Sequence, residues 1–198
     1  MKIGLVRHFK VKKRKPSKWL ITSDELIDWF EEYNTAEVEL GETDLMDVDW
    51  QSCYSSDLSR AVTTAKHIFS DELEMSDKLR EVKAYPLFSR RLKLPFIFWV
   101  VAVRLAWLFH HPSQRETKEI VKERVRKAVD DILFHGEENI LIVSHGGTMI
   151  YLQKELSKRG FIGPKIRMPA NGKLYLFEKQ RGEEYVGTNE SKRDEATI

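Results

Sequence analysis

Residues 139–144, Asn-Ile-Leu-Ile-Val-Ser, form an unbroken apolar run that stops at His145-Gly146-Gly147-Thr148. A run this short, apolar at both parities, is a strand covered on both faces and not an alternating surface strand. Such a strand needs helices above and below it, which restricts the chain to layered sheets. Residues 1–6 repeat the pattern and end at Arg7-His8, and residues 51–55 are expected to form a further strand that leads into Ser55-Ser56-Asp57.

Helical signals alternate with these strands. Thr22 and Glu25 read as a capping box ahead of Leu26, Phe30 and Tyr33 at helical spacing. Residues 57–69 place Leu58, Ala61, Ala65 and Ile68 on one side. Over residues 117–134, Val121, Val125, Ala128, Val129, Ile132 and Leu133 make an apolar stripe opposite mixed charges, closed by His135-Gly136. A last helix is expected over 149–159, stopped by Gly160, and short strands over 75–82 and 173–179. The order predicts the α/β class, a three-layer α/β/α sandwich with a mostly parallel central sheet, as one domain over residues 1–179. Residues 180–198 are polar, with too few apolar side chains to pack, and are expected to be frayed or disordered.

Residues 94–109 are apolar except for Pro95 and Arg104. A membrane span needs about 20 apolar residues, and an arginine near its centre costs roughly 3 kcal/mol. A buried helix or a lid is therefore expected, with shallow membrane-interface contact or a partner surface as the alternatives, and residues 83–116 forming a substrate-pocket or lid insertion. The single Cys53 excludes an internal disulfide, and with Arg7-His8 following only six residues it points to a cytoplasmic protein. The formal net charge is only +2, yet the first 20 residues carry eight Lys or Arg and no Asp or Glu. A solvated loop accounts for this run, and steering of an acidic substrate by Lys10, Lys12, Lys13, Arg14 and Lys15 is the functional alternative. No nucleic-acid motif accompanies it, so no nucleic-acid partner is expected.

In parallel sheets, sites form beyond the carboxyl ends of the strands. Three polar clusters follow expected strands here: Arg7-His8, Ser55-Ser56-Asp57 with Arg60, and His145-Gly146-Gly147. Two histidines, two arginines and glycine-freed amides at a helix start suit a doubly charged oxyanion, most simply a phosphoryl group. Phosphate or sulfate is expected to occupy such a pocket.

Arg7-His8, the segment SSDLSRAVTTA over residues 55–65 and Ser144-His145-Gly146-Gly147 together resemble, in order and position, the signatures of the histidine phosphatase superfamily, the phosphoglycerate mutase-like family. The resemblance implies that fold and a phosphohistidine formed on His8. It implies that Arg7 and Arg60 hold phosphoryl oxygens, that His145 donates a further hydrogen bond, and that Gly146 belongs to the substrate site. Leu79-Arg80-Glu81 is similar to the family's Leu-x-Glu element, which makes Glu81 the candidate acid and base, with Asp57 and Asp77 as alternatives. No metal and no cofactor is implied. The sequence departs from the pattern at Phe9, where the family has glycine, in the absence of an asparagine from residues 10–15, and after Glu81. An aromatic ring at position 9 is expected beside the nucleophile, narrowing the pocket or touching an apolar substrate group. The expected activity is metal-independent hydrolysis of a small phosphomonoester, alternatively a mutase-type phosphotransfer or catalytically impaired phospholigand binding. His67, His110, His111 and His135 are read as structural or exposed.

Overall fold

The computed structural model describes residues 1–83, 85–87, 92–136 and 138–180. Its elements in chain order are β1 (Lys2–Arg7), β2 (Leu20–Ile21), α1 (Ser23–Thr35), β3 (Ser52–Ser56), α2 (Ser59–Ile68), β4 (Leu73–Ser76), β5 (Leu94–Pro95), α3 (Phe96–Leu108), α4 (Lys118–Phe134), β6 (Asn139–Ser144), α5 (Gly146–Lys158) and β7 (Leu174–Glu178). Five strands make one sheet in the order β4-β3-β6-β1-β7. Its first four strands are mutually parallel, and β7 runs antiparallel to β1. The fold is the layered α/β arrangement that the apolar strands require.

The doubly buried runs explain the layers. Ile3, Leu5, Ile140 and Ile142 point to one face and pack under α4 and α5 with Val125, Val129, Met149 and Leu152. Val6, Leu141 and Val143 point to the other and meet Ala61 and Ala65 of α2 together with Trp50. Gly4 allows this second layer to close, since a Cβ there would lie 2.7 Å from Leu174 and 2.8 Å from the Trp50 ring. The capping box at α1 is present as expected: Glu25 N donates to Thr22 Oγ1 at 3.2 Å and Thr22 N donates to Glu25 Oε2 at 2.9 Å.

Two boundaries differ from the sequence expectation for physical reasons. The strand expected over 75–82 is instead the edge strand β4, followed by a 3-10 turn at Asp77–Leu79 whose Ser76 side chain accepts from Lys78 N. The helix expected to begin at Met149 begins at Gly146, without a side-chain cap of its own. Its first amides are satisfied from outside, by Glu81.

Residues 94–109 divide into β5 and α3. The two-residue β2 pairs with β5, Leu20 opposite Pro95 and Ile21 opposite Leu94, and the Trp99 indole donates to Ile21 O at 2.9 Å. Trp99 and Val103 bury themselves against Ile21 and Leu26, forming a small core between α1 and α3. The expectation of a buried helix needs correction, because only one flank of α3 is covered; Ile97, Phe98, Val101, Leu105 and Leu108 are exposed. Among the described residues, no helix is long and apolar enough to cross a membrane. Residues 84 and 88–91 of the expected insertion, and 181–198 of the expected tail, lie outside the described residues.

The basic loop after β1 is anchored at two points. Val11 bridges to Val38, and exposed ion pairs tie Lys10 to Glu39, Lys12 to Glu37, Lys13 to Glu32 and Lys18 to Glu25.

Candidate active site

Strands β1, β3 and β6 end side by side, with Arg7 in register with Ser144 and Ser55 with Val143. The residues that follow them therefore meet at one crevice. A cavity of about 760 Å³ opens there, and Arg7, His8, Arg60 and Glu81 all line it. His145 lies directly behind, fully buried, its ring centroid 5.1 Å from that of His8.

His8 is fixed by main-chain contacts. Its amide donates to Ser144 O at 3.0 Å, and its Nδ1 donates to Phe9 O at 2.6 Å. A proton on Nδ1 leaves Nε2 with a free lone pair. Burial, with further contributions from the Arg60 and Arg7 charges, pushes the His8 pKa down to about 3 against the opposing effect of the Phe9 carbonyl bond. The ring is consequently neutral at any physiological pH. The loop that leads into β7 buttresses it, since Asn171 Nδ2 donates to His8 O at 2.7 Å, Gly172 N to Arg7 O at 2.8 Å, and Arg7 Nη1 to Pro169 O at 2.9 Å.

Arg60 projects from the first turn of α2. Its Nη1 donates to Asn34 Oδ1 at 2.8 Å and its guanidinium lies 5.4 Å from the centre of the Tyr33 ring, so the end of α1 sets its direction. For His145, Nε2 faces Ser56 Oγ at 2.8 Å, and that hydroxyl also accepts from Leu58 N at 3.3 Å. The assignment that satisfies both has the Ser56 hydroxyl donating to Nε2, which leaves the proton of His145 on Nδ1. Burial holds His145 well below the usual histidine range, with the Arg60 charge adding to it.

Arg7 Nε, Arg60 Nε and His145 Nδ1 are buried and have no hydrogen-bond partner among the described residues. Buried donors in a native fold are almost always satisfied. Three such donors around a neutral histidine, with no carboxylate in ion-pair contact with either arginine among the described residues, are what a bound tetrahedral oxyanion would satisfy.

Glu81 follows the 3-10 turn and sits on the N-terminus of α5. Gly147 N donates to its Oε2 and Thr148 N to its Oε1, each at 3.2 Å, and Val82 N donates to Oε1 at 2.9 Å. Gly147 is needed for that contact, because a Cβ at this position would come within 2.6 Å of Glu81 Oε1. Gly146 is different: a Cβ there would make only ordinary van der Waals contact, 3.4 Å from Arg7 Nε, so what the position shows is that the guanidinium lies against the helix start. Asp57 accepts from Arg80 Nε at 2.6 Å and Nη2 at 2.5 Å, an ion pair that holds its carboxyl below the usual carboxylate range. Neither Asp57 nor Asp77 lines the cavity around His8.

Phe9 corrects the sequence expectation. Its ring is not part of the cavity wall; it is buried with Val11 and Val38, against the edge of His67 and close to Gly172. What position 9 offers the site is backbone: its carbonyl takes the His8 proton, and its amide donates to Thr64 Oγ1 at 2.8 Å. Thr64 lies within the SSDLSRAVTTA segment and could have been singled out from it. Asn34, Tyr33 and Asn171 carry no sequence signal, because their relation to the site arises only from tertiary packing.

Away from the arginines, the cavity wall is aromatic and aliphatic, with Trp29, Phe30 and Tyr33 of α1 facing Phe96, Val100 and Val103 of α3. Trp29 is the centre of this wall, 4.8 Å from the Phe96 ring and stacked on Tyr33 at 5.2 Å.

Fold and crevice together define an α/β protein whose buried histidines and arginines gather beyond the ends of three parallel strands. The chain belongs to the histidine phosphatase superfamily (branch 1), whose family model matches residues 35–189. That span contains Arg60, Glu81 and His145, whereas Arg7 and His8 precede it. No curated protein matches the sequence. Among solved structures, the chain is similar to the alpha-ribazole phosphatase from Shigella flexneri, with a TM-score of 0.57 and 18% identity over 91% of this chain and 92% of that one. Bacillus stearothermophilus YhfR aligns with a TM-score of 0.55 and 18% identity, covering 91% and 92% of the two chains. A mycobacterial glucosyl-3-phosphoglycerate phosphatase aligns with a TM-score of 0.52 and 17% identity over 79% of each. At these identities the likeness carries the fold, and membership assigns phosphatase chemistry at the level of the family.

Proposed function

We propose that this protein is a metal-independent phosphomonoester hydrolase that works through a phosphohistidine on His8. The observation that carries the reading is the Nδ1–H to Phe9 O bond at 2.6 Å, which presents a neutral Nε2 beside Arg7 and Arg60. In the first step a P–N bond forms at Nε2 while the P–O bond to the alcohol breaks, and Glu81 gives its proton to the departing oxygen. In the second, water attacks phosphorus, its proton passes to the Glu81 carboxylate, and the P–N bond breaks to free His8 and phosphate. Arg7, Arg60 and His145 meet the charge on the equatorial oxygens throughout. Gly146, at the start of α5 beside the Arg7 guanidinium, borders the same oxygens. The aromatic wall between α1 and α3 supports an alcohol with apolar or aryl character.

Phosphate release from an aryl phosphate and from a panel of metabolite phosphomonoesters, measured with a chelator present, tests the reading. Release by the wild type that disappears in His8→Ala, with an acid-labile phosphoenzyme trapped only in the wild type, is the expected outcome. Release that survives His8→Ala, or that the chelator abolishes, would overturn it. Absence of release while phosphate raises the melting temperature would leave a phospholigand-binding protein in its place.

A further inference from the structure

The outer half of α3 has no counterpart in the site. Viewed down the helix, Phe96, Val100 and Val103 line the cavity, Trp99 and Val103 face the small core, and Ala106 is buried. The remaining arc carries Ile97, Phe98, Val101, Leu105 and Leu108, all exposed, with Phe98 63% and the following Phe109 79% accessible. Not one polar residue interrupts that arc; Arg104 stands at its border with the cavity. The β2–β5 pairing sets Leu20 and the adjoining Trp19, 80% accessible, beside the start of the same helix. A contiguous apolar surface of this kind marks a contact site.

The distribution of charge says what it contacts. Residues 1–20 carry eight basic side chains and residues 82–115 six, and neither segment contains an Asp or Glu; the rest of the chain holds 19 of the 33 basic side chains against all 31 acidic ones. Glu25 and Glu32 of α1 and Glu37 and Glu39 of the loop after it pair with Lys18, Lys13, Lys12 and Lys10 respectively. Among the described residues, Arg14, Lys15, Lys93 and Arg104 form no ion pair, and all four are exposed. The apolar face is thus rimmed by uncompensated positive charge. A second copy of this chain would bring the same positive rim against itself. The polar residues 180–198 offer only Tyr185, Val186, Ala196 and Ile198 as apolar side chains, too few to cover the face. A surface that is both apolar and negatively charged satisfies it.

We propose that the outer face of α3, with Trp19, Leu20 and their basic rim, docks this protein onto an anionic lipid surface. The 13-residue helix is roughly 20 Å long, too short for a hydrocarbon core of about 30 Å, so it lies along the headgroup boundary with its aromatic side chains inserted. Docking this way sets the aromatic cavity wall, carried by the same helix, at the interface.

Co-sedimentation of the intact protein with vesicles of phosphatidylcholine alone, or of equal parts phosphatidylcholine and phosphatidylglycerol, tests the proposal. Binding to the anionic vesicles at least about tenfold tighter than to the neutral ones is expected, falling with salt, since each basic side chain near the surface contributes separately. Phe98→Asp with Leu105→Asp should weaken binding by about tenfold or more, and Lys15→Glu with Lys93→Glu should abolish the preference for phosphatidylglycerol. Unchanged circular dichroism and melting temperature confirm that each variant folds; the exposed charge pair keeps the test decisive if the apolar pair does not. Absence of binding to either vesicle, or equal binding to both, overturns the proposal. So does a lipid-free dimer, seen by sedimentation velocity, that Phe98→Asp with Leu105→Asp dissolves, because the face would then belong to a second copy.

Discussion

Gly147→Ala isolates the position of the Glu81 carboxylate from everything else in the site. The new methyl would lie 2.6 Å from Glu81 Oε1, 3.4 Å from its Cδ and 3.5 Å from Val82 Cγ2, so the carboxylate must move by about an ångström or rotate away. Moving it stretches two amide contacts that now stand at 3.2 Å. Hydrogen bonds to a charged group contribute about 1.5–3 kcal/mol when buried, and less at this half-buried position. Alanine returns up to about 1 kcal/mol of helix propensity. The net destabilisation is thus about 1 kcal/mol, a fall in melting temperature of about 2–4 °C for a chain of this size. Turnover responds on another scale, since an acid and base displaced by about 1 Å costs on the order of a hundredfold in kcat. The assay is a cycle in aryl phosphate hydrolysis: Gly147→Ala, Glu81→Ala and the double variant. The alanine at 147 should be costly beside Glu81 and nearly silent beside Ala at 81. Full turnover in Gly147→Ala, or an equal loss in both backgrounds, would refute the link between this glycine and Glu81.

The pKa of His8, about 3 in the folded protein against the ordinary 6.5, makes stability pH-dependent in a definite direction. The contribution is fully present above pH 6.5 and is lost as pH falls towards 3, with a slope of up to about 1.4 kcal/mol per pH unit that the buried His145 steepens. Denaturant midpoints at pH 7 and pH 5 check this, and a midpoint that rises on acidification would contradict it. Asn34→Ala removes the acceptor that aims Arg60, a loss of about 1 kcal/mol; phosphate should inhibit about fivefold more weakly, with kcat nearly unchanged. Gly4→Ala puts a methyl 2.7 Å from Leu174 and 2.8 Å from Trp50 and should cost about 1–3 kcal/mol of stability, read as a lowered melting temperature. An unaltered melting curve would show that the second layer can give way.

Much of this architecture is written locally. Residues 139–144 are apolar at both parities and form β6 with those same limits, because a buried parallel strand needs nothing but its own composition to be recognised. Thr22 and Glu25 cap α1 with each other, three residues apart, so the signal is contained in the sequence. Arg7, His8, Arg60 and Glu81 follow the same logic: Arg7 ends β1 and His8 follows it, Arg60 lies in the first turn of the helix after β3, Glu81 follows a 3-10 turn, and the parallel register delivers them to one cavity. Illegible features depend on contacts between distant segments. The direction of Arg60 is set by Asn34 on another helix, and the early start of α5 depends on Glu81 replacing a cap residue that the sequence lacks. Phe9 misled because a residue next to a nucleophile need not share its environment; alternate side chains leave the strand end on opposite sides, and the ring found Val11 and Val38.

The position of β1 has a consequence for when this protein can become active. Strand β1 precedes the other four strands of its sheet in the chain and yet is held between β6 and β7, so residue 2 waits for residues 139 and 178. Pairings of such separation close slowly, because a long loop must be ordered before any contact rewards it. The Arg7-His8 pair is further fastened by the carbonyl of Pro169, the amide of Gly172 and the side chain of Asn171. During synthesis Arg7 and His8 therefore stand without their fastenings until residues 169–178, about 160 positions further along the chain, have emerged.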